Sequence, residues 1–171
     1  MRFRGILLSL LLSAVLWSPL TAQDLPDYTM EQRWARAERL LNSWVVFGIR
    51  YSKMMGQSLE QLSDALVEVY SPGWSSEMGP LDMLRAMHRN WMWQRSAEFE
   101  VLEATDDVVR FRANRAYVPD YFGEDMQSYG VTVEEYEKVL ELFQRGICTE
   151  RGMTYEWNVE GSWVYVTIGK Q

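Results

Sequence analysis

Apolar positions along this 171-residue chain follow three regimes: one unbroken run, segments of helical period, and segments of strict alternation. Three capping boxes mark where the helical pattern begins, each satisfying orphaned helix N–H groups by reciprocal side-chain bonds: Thr29 with Gln32, Ser58 with Gln61, and Thr132 with Glu135. After the first box, Trp34, Ala37, Leu41, Trp44, Gly48, Tyr51 and Met55 recur at steps of three and four, which stacks them on one face. Residues 44–49 are apolar on nearly every side, which predicts an enclosed, central helix. The second helix carries Leu59, Leu62, Leu66 and Val69 and stops at Ser71-Pro72-Gly73. Pro80, at the favoured first-turn position, opens a third over residues 81–94. The fourth follows Thr132, turns Tyr136, Val139, Leu140, Phe143 and Ile147 inward, and ends near Gly146 or Gly152.

Between and after these helices the period changes to two. Phe99 and Val101 alternate with Glu98 and Glu100, and Val109, Phe111 and Ala113 alternate with Arg110 and Arg112. A connection at Thr105-Asp106-Asp107 sets Glu100 across from Arg112 as a charge pair on the outer face. At the C-terminus, Tyr155 and Trp157 face Val164 and Val166 across a Glu160-Gly161 turn, with Trp163 and Tyr165 on the other face; Glu before the glycine suggests a bulge. The order predicts an α+β fold, a helical layer of about four helices packed on a four-stranded antiparallel sheet made of two hairpins. Residues 71–80, around Trp74, and residues 115–130, with Tyr117, Tyr121, Phe122 and Tyr129, are more aromatic than plain connections require.

The unbroken run occupies residues 6–17, after Arg2 and Arg4 and before Ser18-Pro19-Leu20-Thr21-Ala22. That is the plan of a secretory signal peptide over residues 1–22, leaving a single α+β domain at residues 23–171 and a secreted or periplasmic location. Losing Arg2 and Arg4 with the leader takes the net charge from −7 to −9. A surface that negative repels phosphate backbones and anionic lipid heads, so neither nucleic acid nor a membrane is expected as a partner after cleavage. Cys148 is alone, so no intramolecular disulfide forms and stability comes from burial. Its thiol is a buried core group, half of an intermolecular bridge, or a reactive centre.

Candidate chemistry gathers on the third helix. Met83, Met87 and Trp91 fall in one row, with His88 and Met92 in a neighbouring one, a soft ligand set suited to monovalent copper or simply to filling core space. His88, the single histidine, is either a general base or a hydrogen-bonded residue at a core boundary. Cys148 with His88 and a carboxylate would make a thiol nucleophile with its base, although no spacing demands that arrangement. Seven of eight tryptophans remain after leader removal, and such an aromatic load lines either a small-molecule pocket or a bulky core. Arg115 could grip an anionic ligand group or pair with Asp120 or Glu124. No cofactor motif is present.

The element order, with Thr154-Tyr155-Glu156-Trp157 and Trp163-Val164-Tyr165 as an aromatic final strand pair, resembles the L-2-amino-thiazoline-4-carboxylate hydrolase-like proteins in outline. The chain departs from that family in retaining only Cys148 of its several cysteines, so the resemblance implies a small-molecule site and transfers no catalytic role. The expected function is binding of a small, partly aromatic or apolar molecule between the third helix, the sheet and the aromatic loops, through Trp74, Met87, His88, Trp91, Arg115, Tyr117 and Tyr121. The alternatives are a hydrolase or lyase using His88 with or without Cys148, a periplasmic copper-binding protein, and a structural or interaction protein. The oligomeric state is left open.

Overall fold

A computed structural model describes residues 27–171, and the leader expected at residues 1–22 lies outside them. The chain divides into two units, Met1–Arg33 and Trp34–Gln171. Of the first, the described part holds the Thr29 capping box, with the Gln32 side chain accepting from the Thr29 N–H at 2.9 Å and Thr29 Oγ1 from the Gln32 N–H at 3.2 Å. The described residues form four α-helices, α1 Met30–Met54, α2 Leu59–Tyr70, α3 Pro80–Trp91 and α4 Val133–Thr149. The strands are β1 Phe99–Ala104, β2 Val108–Asn114, β3 Gln127–Ser128, β4 Val131–Thr132, β5 Met153–Glu160 and β6 Trp163–Lys170. No described helix is long and apolar enough to cross a membrane.

The fold is α+β, as the change of period predicts. Two hairpins join through β2 and β6 into one antiparallel sheet of order β1-β2-β6-β5. Glu100 does stand opposite Arg112, and a bulge at Leu102 shifts the register only beyond that pair. On the inner face, Val109, Phe111, Ala113, Val164, Val166 and Ile168 are closed from solvent beneath α3 and α4. The last turn differs from the sequence expectation by one residue, which moves the pairing by two: Trp157 stands opposite Val166 and Tyr155 opposite Ile168 rather than Val164 and Val166. Glu160 pairs with Trp163, so the turn is Gly161-Ser162, with the glycine at φ 61° and no bulge.

Helix α1 departs most from expectation. Its apolar row does share one face, but that face is outside: Trp44 is 64%, Phe47 58% and Met55 62% exposed. The inward face carries Glu38, Asn42, Val46, Ile49 and Ser52, so α1 is a surface helix rather than an enclosed one. Glu38 and the Asn42 side-chain carbonyl oxygen have partners, while Asn42 Nδ2 is buried without one among the described residues. Arg95 Nε donates to Glu38 at 2.7 Å and Tyr136 Oη to Asn42 Oδ1 at 2.7 Å. Trp34 Nε1 donates to the Trp93 carbonyl at 2.7 Å.

Helix α3 stops at Trp91, short of Gln94, and α4 runs past Gly146 to Thr149. Gly146 is there for space, not termination. A β-carbon at Gly146 would lie 2.5 Å from Val67 Cγ2, so the glycine permits the close approach of α2 and α4. At an open helical site Gly→Ala gains about 1 kcal/mol. Here overpacking reverses the sign, and Gly146→Ala is expected to lose about 1–3 kcal/mol. Urea unfolding checks this, with the Val67→Ala background expected to restore the gain.

Candidate functional site

The chain between β2 and α4 is organised by one buried carboxylate. Glu137, on the first turns of α4, accepts from Arg115 Nε at 2.5 Å and from Tyr117 Oη at 2.6 Å. Arg115 also donates to the Gly161 carbonyl at 3.2 Å, tying the β5–β6 turn to the same point. Burial works to lower the Arg115 pKa, and Glu137 outweighs it, leaving the guanidinium held above its ordinary value. Burial, then the Glu137 charge, push the Tyr117 hydroxyl well up, so it stays a donor. Tyr117 packs on Tyr136 with ring centroids 5.1 Å apart, and Tyr136 reaches Asn42 on α1. The network thus runs from the sheet through α4 to α1.

Against the flank of α1 that this network positions lies a cleft of about 420 Å³, lined by Ser43, Val46, Phe47, Arg50 and Tyr129. That is within the range of small-ligand sites. Positions 43, 46, 47 and 50 fall on one side of the helix by their spacing of three and four. The opposite wall is the two-residue turn Tyr129-Gly130 between β3 and β4, with φ 50° and 74°. Two positive φ values define a type I′ turn, where Asn-Gly is usual and a tyrosine is strained by about 1–2 kcal/mol. The ring so held is 80% exposed. Lys53 Nζ pins the turn by donating to the Gly130 carbonyl at 3.3 Å while pairing with Glu135 at 2.5 Å. Arg50, by contrast, makes no ion pair among the described residues. The Ser43 hydroxyl is already engaged, donating to the Arg39 carbonyl at 2.7 Å, so an apolar wall with the Arg50 guanidinium is what can seat an amphipathic anion.

The residues singled out from sequence fall in different places. Tyr121 comes nearest the cleft, donating to Ser43 Oγ at 3.3 Å. Arg115 and Tyr117 are taken up by Glu137. Met87 and Trp91 are core residues, and Trp91 Nε1 donates to the Asn114 carbonyl at 3.0 Å. Trp74 borders a separate, polar groove with Asp82, Arg85 and Arg89, and its carbonyl accepts from Arg151. His88 is exposed and meets Phe99 of β1 edge-on at 5.0 Å. Cys148 is buried on α4, which packs on β5 at the opposite edge of the sheet. Three inter-strand steps, about 14 Å, separate those edges, so no thiol–imidazole pair assembles. Met83 and Met87 point inward while His88 and Met92 point outward, so the soft ligand rows do not converge. No described cluster of His, Cys, Asp or Glu is arranged to hold a metal. The lining residues of the cleft went unnoticed in sequence because Ser43 and Arg50 sit inside an apolar stretch; the Tyr129-Gly130 pair was the available signal.

Burial pushes the Cys148 thiol up to about 12, and Tyr155 and Tyr136 are likewise raised by burial. In the unfolded chain a cysteine ionises near 8.5 and a tyrosine near 10. Above about pH 8.5 the unfolded state therefore holds fewer protons than the native one, and stability falls as pH rises, by about 1.4 kcal/mol per unit for the thiol alone. Stability that is whole below pH 8 should decline progressively through pH 9–11 in urea titrations, and Cys148→Ala should remove the earliest part of the decline. A thiol reagent at pH 8 should leave folded protein unlabelled and react once urea is added.

No family model matches the chain, and no curated protein matches it. Among solved structures, an Fe(II) unliganded H-NOX protein mutant from K. algicida aligns over 98% of this chain and 89% of its own, at 11% identity and a TM-score of 0.38. A likeness that slight carries no argument about what this protein binds.

Proposed function

We propose that this protein binds a small apolar or aromatic molecule bearing one anionic group, in the cleft between α1 and the Tyr129-Gly130 turn, and that it does so outside the cytoplasm after loss of residues 1–22. The supporting observation is Arg50, an exposed guanidinium without a carboxylate partner among the described residues, beside the apolar wall of Val46 and Phe47. In this reading the guanidinium takes the anionic head by charge-assisted hydrogen bonds, and the rings of Phe47 and Tyr129 cover the body. The strained tyrosine at the turn fits the same reading, since a costly conformation is kept where the side chain it presents has a use. The outline resemblance in the sequence implies a small-molecule site and no more.

The test uses arylalkyl carboxylates, 3-phenylpropionate first, each beside its neutral amide. The carboxylate should raise the melting temperature more than the amide, and Arg50→Gln should abolish the difference, weakening carboxylate binding about tenfold, or about 1.4 kcal/mol. Tyr129→Asn suits the turn better and removes the ring, so affinity should fall while the unliganded protein becomes no less stable. Equal shifts from acid and amide, or no shift across the series, would refute the anion reading.

A further inference from the structure

The outward face of α1 is a second surface that the cleft does not explain. At the helical period, Leu40, Leu41, Trp44, Tyr51, Met54 and Met55 form, with Phe47, an apolar arc about 140° wide, open to solvent along its length. Trp44 meets Phe47 edge-on at 6.1 Å, and Phe47 stacks on Tyr51 at 6.2 Å, so the arc is one continuous patch. Patches of this kind on a folded surface mark contact sites.

Charge selects the occupant. The chain as a whole carries −7, yet from Trp34 to the end of α1 the cations are Arg36, Arg39, Arg50 and Lys53 against the single carboxylate Glu38. Glu38 is turned inward and paired with Arg95 at 2.7 Å, so it does not offset them at the surface. Lys53 is itself paired with Glu135 at 2.5 Å, which leaves Arg36, Arg39 and Arg50 as the exposed arginines along one shoulder of the apolar arc. Aromatic and aliphatic side chains on one arc with arginines beside it are the pattern of a helix lying in a lipid–water interface, where Trp and Tyr are favoured. A second copy of the chain would bring the same cations together. Charge elsewhere on the protein is predominantly acidic and is repelled by an anionic surface, which orients the molecule with α1 toward it.

We propose that α1 docks the protein on an anionic lipid surface, with Leu41, Trp44, Tyr51 and Met55 entering the interface and Arg39 at the headgroups. The whole-chain charge argues against such a surface; the local reversal on α1 argues for it.

The experiment uses protein purified from an exporting host, its N-terminus fixed by intact mass, with vesicles of phosphatidylcholine alone or with 30% phosphatidylglycerol by design. Binding to the mixed vesicles, with blue-shifted tryptophan emission and at least tenfold weaker binding to the neutral ones, is the expected result. Raising salt to 0.5 M should release it, because charges are then screened within a few ångströms. Leu41→Ser/Trp44→Ser, which leaves the cleft lining intact, should lower the partition at least tenfold without changing the cleft's response to 3-phenylpropionate. Equal binding of wild-type and double variant would overturn the proposal, assigning the attachment to another segment. So would a concentration-dependent dimer in light scattering, lost in the double variant, with no vesicle binding: the face would then belong to a second copy.

Discussion

The Glu137 carboxylate is the point on which the helical layer and the sheet depend together. A buried charge is tolerable only when it is paired and hydrogen-bonded, and here Arg115 and Tyr117, from the chain that leaves β2, both donate to Glu137 Oε1. That requirement fixes the path of residues 115–122, brings Tyr117 onto Tyr136, and so aims the Tyr136 hydroxyl at Asn42. The position of α1, and with it one wall of the cleft, follows from a charge that lies on another helix.

Helix α1 shows how polar partners can decide orientation against the weight of apolar area. Its Trp, Leu and Met side chains would gain from burial at roughly 25 cal/mol per Å² of surface. They stay outside because the inward face bears Glu38 and Asn42, whose partners Arg95 and Tyr136 are fixed in the body of the protein. Turning the helix over would return Glu38 and Asn42 to water but leave the buried Tyr136 hydroxyl without its acceptor, a loss of about 1–3 kcal/mol. The outcome is a surface rich in unspent hydrophobic energy.

Much of the architecture was legible in the sequence because it is written in local rules. All three capping boxes form, and Glu100 does stand against Arg112, although the turn pairs Ala104 with Val109 and it is the bulge at Leu102 that brings the register back to that pair. Periodicity tells which residues share a face, but not which face the protein covers, and the all-round apolar stretch at residues 44–49, which predicts an enclosed α1, does not tell it either. A glycine near a helix end reads as a stop, yet Gly146 serves a neighbouring helix, and no local pattern announces Val67. The cleft was hidden for the same reason. Its walls come from positions about eighty residues apart, joined by Lys53 to Gly130 and by Tyr121 to Ser43, while the residues that looked chemical in sequence, His88 and Cys148, were drawn to opposite sheet edges.

The described tryptophans span the range of environments, with Trp91 enclosed, Trp34 and Trp44 exposed and Trp74, Trp93, Trp157 and Trp163 half-buried. Trp91, 5% exposed, tilts against Trp157 at 6.1 Å inside the packed layer, while Trp34 and Trp44 stand on the open side of α1. Indoles in apolar and aqueous settings emit at different wavelengths, so one spectrum carries separate signals for the interior and for the helix. An event at α1 therefore acts on the long-wavelength part of the emission, from Trp34 and Trp44, while a loosening of the whole domain also shifts Trp91 and the half-buried rings.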